Sequence, residues 1–436
     1  MKDLTTKELR TLFSHADALF SKKSFIAPKS FFEIPKDKYF AREIKIAKNK
    51  QSYLTDHGLK NFVKVVELLD KRDIFSGQAE FSNIWSAWKA TVENWFSDGL
   101  QPESGSEVVN AIADRLTPTI RKHNFIVPIF GLKLERNEPF QVGSMSILRD
   151  PEPLLDRAGV SRNSDDISSI QEINQGNLWL FGSAHGTANV AQRVFYEQAT
   201  LTVGLIAIAA AARYEGGATA FRIGISMSPE DTLGRAAWMS WDDIENSLTT
   251  HYKFARGQPF AVDTELSSVS DDIKMVHLAF AILQKEKKTP LEEAIERAIY
   301  WFSDAHRDSS LVMRIVKYWS CVEAFFSLKK EEITHSASAG LASILVYGGF
   351  RYADLSEYKP LKKQISKLYD VRSKAVHSAA HRHVTEENVA QFSQWVAWMI
   401  IEIVGLSAQG YTTLAQLKEQ VDRLDSISRT MPGKKS

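Results

Sequence analysis

The stretch KPLKKQISKLYDVRSKAVH, residues 359–377, decides how the C-terminal part of this chain is read. Pro360 suits the first turn of a helix, where a missing N–H costs nothing. At about 100° per residue, Leu361, Ile365, Leu368 and Val376 fall on one stripe. Arg372 lies in the middle of that stripe, while Lys359, Lys363, Lys367 and Lys374 gather on the opposite face beside Asp370. The lysines stand where a solvated face puts them. The arginine stands where a core residue belongs.

The preceding apolar helix, over 309–328, carries the same oddity with the opposite sign. Val312, Ile315, Val316, Trp319, Val322 and Phe326 form its apolar face, and Glu323 points between the directions of Val312 and Val316. Burying either charge alone costs several kcal/mol, so the spacing predicts that Glu323 and Arg372 pair. A purely structural ion pair accounts for the same pattern and remains open at this point.

Outward from these two helices, apolar residues at helical spacing predict a succession of helices over 271–286, 290–305, 309–328, 336–347, 359–377 and 385–406, with no strand between them. The N-terminal side reads as α+β. Helical spacing covers 59–69 and 81–96, the Pro-Glu-Ser-Gly-Ser run at 102–106 reads as a loop, and strands are expected over 125–134 and 140–148. A long apolar helix is expected over 187–214, stopped by Gly216-Gly217. A half-buried strand should follow from Phe221 to Met227, and 228–265 resists assignment. The shift in periodicity puts a domain boundary near 260–270, giving an α+β region 1–260 and a helical region 261–436, with a frayed tail from Met431.

The chain has 436 residues, 54 basic and 53 acidic, for a net charge of +1. Such neutrality argues against a globally basic coat for nucleic acid, yet residues 359–374 hold Lys359, Lys362, Lys363, Lys367, Arg372 and Lys374 against Asp370 alone, a local positive patch. A charged share of 25% and an apolar share of 44% are those of an ordinary globular protein. One cysteine, Cys321, excludes an intramolecular disulfide and a Cys-rich zinc ribbon, and fits a reducing compartment. The first residues read as a soluble helix, and the apolar run 201–212 falls short of the ~20 residues that span a bilayer, so a cytoplasmic chain without a membrane partner is expected.

The chemistry rests on Arg372-Ser-Lys-Ala-Val-His377. Arginine presents a permanent planar charge suited to phosphate, and histidine exchanges a proton near neutral pH. Together they can cleave RNA without a cofactor or metal: the imidazole moves the proton and the guanidinium steadies charge on phosphorus. A five-residue step on a helix rises about 7.5 Å and turns about 140°, so the two side chains do not meet. Either the helix ends before His377, or a second copy supplies its own pair across a shared cleft, which predicts a homodimer.

Tyr369-Asp-Val-Arg372-Ser-Lys-Ala-Val-His377, preceded by Tyr318-Trp-Ser-Cys-Val-Glu323-Ala-Phe-Phe, resembles the ApeA-like branch of the HEPN superfamily over residues 300–410. The resemblance implies an all-α antiparallel bundle, a dimer, and a metal-independent endoribonuclease of anti-phage or toxin systems, or a non-catalytic module in some members. It makes Arg372 and His377 the catalytic pair, Ser373 the polar residue after the arginine, and Glu323 the acid that orients it, with Tyr369 and Asp370 supporting. RNA would be the partner, with Lys359, Lys363, Lys367 and Lys374 attracting its backbone, and the N-terminal region would sense an unknown trigger. Ser378-Ala-Ala-His381 departs from the small glycine that often follows the family histidine.

Three other constellations compete. His377, His381 and His383 lack a supporting carboxylate or thiolate for a metal. Gly182-Ser-Ala-His-Gly186 reads as a Gly-rich turn before a helix, or as a backbone nest for an anion or nucleotide. The 385–406 helix, apolar nearly all round with Trp395 and Trp398, is either central to its domain or a dimer seam.

Overall fold

A computed structural model describes residues 2–26, 42–47, 50–157, 170–172, 174–214, 216–227, 235–240, 249–254, 259–326, 333–378 and 384–430. The helical elements named below carry apolar residues on the faces they bury, and the order is α+β followed by helices. By its contacts the chain divides into one unit of residues 1–124 and 183–195, and another of 125–182 and 196–436.

The first unit contains α1 (Thr6–Leu19), strands β1 (Phe25–Ile26), β2 (Glu43–Ala47) and β3 (Lys50–Leu54), then α2 (Asp56–Lys71), α3 (Phe81–Asp98) and α4 (Gly105–Leu116). The strands form an antiparallel sheet in the order β1-β3-β2. The expected helices at 59–69 and 81–96 are α2 and α3. The expected loop at 102–106 ends early, because the Ser104 side chain accepts a hydrogen bond from the Glu107 N–H and starts α4 at Gly105. Trp88, fully buried, meets Phe62 at 5.8 Å and Trp95 edge-on at 5.8 Å, so aromatic rings fill this core.

The second unit opens on β-structure. Its strands are β4 (Arg121–Phe130), β5 (Leu132–Lys133), β6 (Phe140–Val142), β7 (Met145–Leu148), β8 (Leu178–Gly186) and β9 (Gly224–Ile225), with a short helix α5 (Glu152–Arg157) after β7 and the long α6 (Ala188–Arg213) after β8. Five of them make one sheet in the order β6-β7-β8-β4-β9. The single strand expected over 140–148 is a hairpin, since Gly143 takes φ +58° and turns the chain between β6 and β7. Of the strand expected over 221–227, Gly224 and Ile225 pair with Phe130 and Ile129, and the Ser226 N–H donates to the Pro128 carbonyl at 3.0 Å. Two further strands, β10 (Arg235–Ser240) and β11 (Thr249–Phe254), form an antiparallel hairpin inside the region left unassigned from the sequence. β12 (Phe260–Ala261) pairs in parallel with β5.

The remainder is helical: α7 (Val262–Glu265), α8 (Asp271–Leu283), α9 (Pro290–Arg307), α10 (Leu311–Phe326), α11 (Ile333–Tyr347), α12 (Tyr358–Ser378), α13 (Glu386–Ala408) and α14 (Leu414–Thr430). The six helices expected here are α8 to α13. α14 had not been expected. α13 is the central rod, packed by α8, α9, α10 and α11, and most of its apolar side chains are buried there. Each large apolar side chain it buries contributes roughly 1.5–3 kcal/mol.

The boundary expected near 260–270 falls inside the second of these units. α13 holds the end of α6 directly: Trp398 Nε1 donates to the Ala212 carbonyl at 3.1 Å, Gln394 Nε2 to the Tyr214 carbonyl at 3.3 Å, and Ser393 Oγ accepts from the Ala218 N–H at 2.9 Å. The sheet and residues 196–213 therefore fold with the helices. α6 and α13 are long and apolar enough to cross a membrane, at mean hydropathy 1.5 and 1.4 over 18 residues, unlike the short run counted in the sequence; those stretches are 72% and 67% buried. The tail from Met431 lies outside the described residues.

Candidate functional site

α10 and α12 pack together, with α11 against both. On α12, Leu361, Ile365 and Leu368 are buried as their stripe demands, but Val376 is 48% exposed, so the stripe leaves the core in the last turn. Arg372 sits at that transition. Its Nη2 lies 3.3 Å from Glu323 Oε1 and 3.5 Å from Oε2, and both side chains retain 21% exposure. The predicted pair is present, half-buried rather than sunk in the core.

Trp319 builds the seat of the pair. Fully buried on α10, its indole Nε1 donates to the Leu368 carbonyl at 3.3 Å. Its ring meets Tyr369 edge-on at 4.9 Å and Phe392 at 4.8 Å. The Arg372 guanidinium carbon lies 5.5 Å from the centroid of the Tyr369 ring, close enough for a cation–π attraction. Arg372 Nε is buried with no hydrogen-bond partner among the described residues. Burial pushes the Glu323 carboxyl above its ordinary value, and the Arg372 charge offsets this only in part. The guanidinium is thus held by one carboxylate and one ring, with hydrogen-bonding capacity left over.

α12 continues through His377 to Ser378. The helix does not end before His377, which removes the first of the two ways the sequence left for Arg372 and His377 to meet. The His377 side chain lies outside the described residues, as do His381 and His383, on which a metal reading would rest. Lys359, Lys363, Lys367 and Lys374 are exposed, whereas Lys362 is drawn to Asp425 at 2.6 Å. Asp370 is exposed too, and lies about 200° around the helix from Arg372, so it joins the lysine face and not the pair. Ser373 is half-buried beside Arg372.

The Gly182–Gly186 run is not a turn. β8 continues through Gly186, and Thr187 then takes up the chain before α6: its N–H donates to the Gln78 carbonyl at 2.8 Å and its hydroxyl to Asn83 Oδ1 at 2.9 Å. The nest proposed for an anion does not form there.

Sequence reasoning missed a second gathering of positive side chains, Arg222, Arg307 and Arg314, whose charges act on His306. No periodicity could find it, because the residues come from a strand approach, a helix end and a helix start. No family model, curated protein or solved structure matches this chain.

Proposed function

We propose that this protein is a metal-independent endoribonuclease of HEPN type, acting as a homodimer. The observation that carries the reading is the half-buried Glu323–Arg372 pair at the end of a lysine-faced helix, with Arg372 Nε unspent. The lysine face attracts the RNA backbone, and Arg372 receives the scissile phosphate. The ribose 2′-oxygen attacks phosphorus as its proton leaves to a histidine, the bond from phosphorus to the 5′-oxygen breaks, and that oxygen takes up a proton. The products are a 2′,3′-cyclic phosphate and a 5′-hydroxyl. Because the helix is continuous, the histidine serving one Arg372 is His377 of the partner copy, and exposed Val376 is part of the surface that copy covers. A role in anti-phage defence or a toxin system fits such an activity.

The second reading, a non-catalytic HEPN module for assembly or nucleic-acid binding, is favoured by Glu323 and Tyr369 already engaging the guanidinium. An assay on total RNA in chelator separates the two. Wild type is expected to cut, leaving cyclic phosphate ends, and Arg372→Ala and His377→Ala each to lose activity by about 10²-fold or more while staying folded. Equal cleavage by wild type and by both variants discards the assignment.

A further inference from the structure

We infer that Arg222 and Arg314 form an anion site that takes a dianionic phosphate group, separate from Arg372 and independent of the nuclease reading. Three segments meet there. Arg314 Nη2, in the first turns of α10, donates to the Ala218 carbonyl at 2.7 Å. Arg222 Nη2, ahead of β9, reaches the Arg307 carbonyl at the end of α9 at 3.4 Å. The Ile223 N–H donates to His306 Nε2 at 2.9 Å, and Phe221 lies against the His306 ring at 4.9 Å. Arg307 Nη1 donates to Tyr196 Oη at 3.1 Å, bringing a third guanidinium to the same place.

What sets this cluster apart is its counter-charge. Neither Arg222 nor Arg314 forms an ion pair with a carboxylate among the described residues; carbonyl oxygens accept from both, and the buried Tyr318 hydroxyl lies beside Arg314. Asp308, whose charge reaches Arg222, is itself paired with Lys317 at 2.7 Å, as is Asp304 at 2.9 Å. Both arginines are half-exposed, so a ligand from solvent can reach them, and Arg314 Nε is buried without a hydrogen-bond partner. The charges act on one another: burial and the Arg314 charge hold Arg222 below its ordinary value, with Asp308 opposing. His306 is fully buried and held neutral by burial and then by Arg314, Arg222 and Arg307, so it adds no charge. Crowding guanidiniums without a carboxylate is costly, and an arriving anion relieves it. Two guanidiniums without an ion pair match the two charges of a phosphate monoester or the free ion, and their planar forks fit its oxygens.

The test is calorimetric titration of the full chain with inorganic phosphate at about pH 7.5, where a phosphate group is largely dianionic, against chloride at equal ionic strength. Wild type is expected to bind phosphate, and Arg222→Gln and Arg314→Gln each to bind about tenfold more weakly. Arg372→Gln is expected to keep the binding that Arg222→Gln and Arg314→Gln weaken. Arg222→Gln carries the test if Arg314→Gln fails to fold, because among the described residues the carbonyl contact of Arg222 is the long one. A mononucleotide arm separates the sources: tighter binding than inorganic phosphate assigns the site to a terminal phosphate, and equal binding to the free ion, and either supports the site. No phosphate heat in wild type, undiminished binding in Arg222→Gln, or loss in Arg372→Gln instead, overturns it.

Discussion

Two half-buried arginine sites in one helical unit meet the same problem by different means. Arg372 has a carboxylate within 3.3 Å and an aromatic ring beneath it. Arg222 and Arg314 have carbonyl oxygens and a neutral, buried imidazole. The first site keeps its charge balanced inside the chain. The second leaves positive charge for something outside it. They also answer acid oppositely, since Glu323 is pushed above its ordinary value and His306 well below.

The largest expected effect comes from removing what holds the first site in place. Trp319→Ala empties a fully buried position and withdraws the ring that carries Tyr369, so a loss of about 3–5 kcal/mol is expected by urea denaturation. A loss under about 1 kcal/mol would mean that the indole is no keystone and that Tyr369 seats Arg372 unaided. Acid comes next, and acts on the second site. His306 is neutral in the folded protein, whereas the unfolded chain takes up its proton near the ordinary value of 6.5. Its contribution is therefore complete above that value and is lost as pH falls toward the depressed one, at up to about 1.4 kcal/mol per pH unit. His306→Gln keeps an acceptor for the Ile223 N–H and should flatten the stability curve below pH 6.5 by close to one proton. An unchanged slope would show that the acid sensitivity lies elsewhere.

The contrast extends to what could be read from residues alone. Glu323 and Arg372 were legible because each interrupts an apolar stripe of period 3.6, and two opposite charges aimed at one core have to meet. The extent of their burial was not legible: the stripe of α12 leaves the core at Val376, which depends on where the neighbouring helices stop. Helix α13 was legible as a central element from its composition, and four helices pack against it. The shift in periodicity near 260–270 carries no sign of the bonds, nearly two hundred residues apart in sequence, by which Trp398 and Gln394 tie the end of α6 into the helices. Arg222 and Arg314 belong to the same kind of failure. Each is an unremarkable half-exposed arginine on its own element, and only the chain path over 218–223 brings them to one place.

Smaller substitutions measure how well the first site balances its charge. Glu323→Ala takes away the one carboxylate that, among the described residues, pairs with a guanidinium whose Nε lacks a partner there, and should cost about 1–2 kcal/mol. The double variant Glu323→Leu/Arg372→Met removes both charges and should recover most of that loss; failure to recover would show that the pair contributes beyond satisfying itself.

Glu323→Gln is the finest of these measurements. Glutamine keeps a carbonyl acceptor for Arg372 while removing the charge. Because the folded protein holds the Glu323 proton more tightly than the unfolded chain does, the carboxyl contributes stability below the ordinary value of 4.5 and loses it as pH rises through the raised one. At neutral pH the acid is therefore a small liability, and glutamine should match or exceed wild type by less than about 1 kcal/mol. Near pH 4 the protonated acid and the amide are near equivalents, and the difference should close. If glutamine instead destabilises at neutral pH, the attraction of Arg372 outweighs the desolvation of Glu323. The first site would then be a net stabilising ion pair, and its contrast with the acid-free arginines would be sharper than their geometry alone implies.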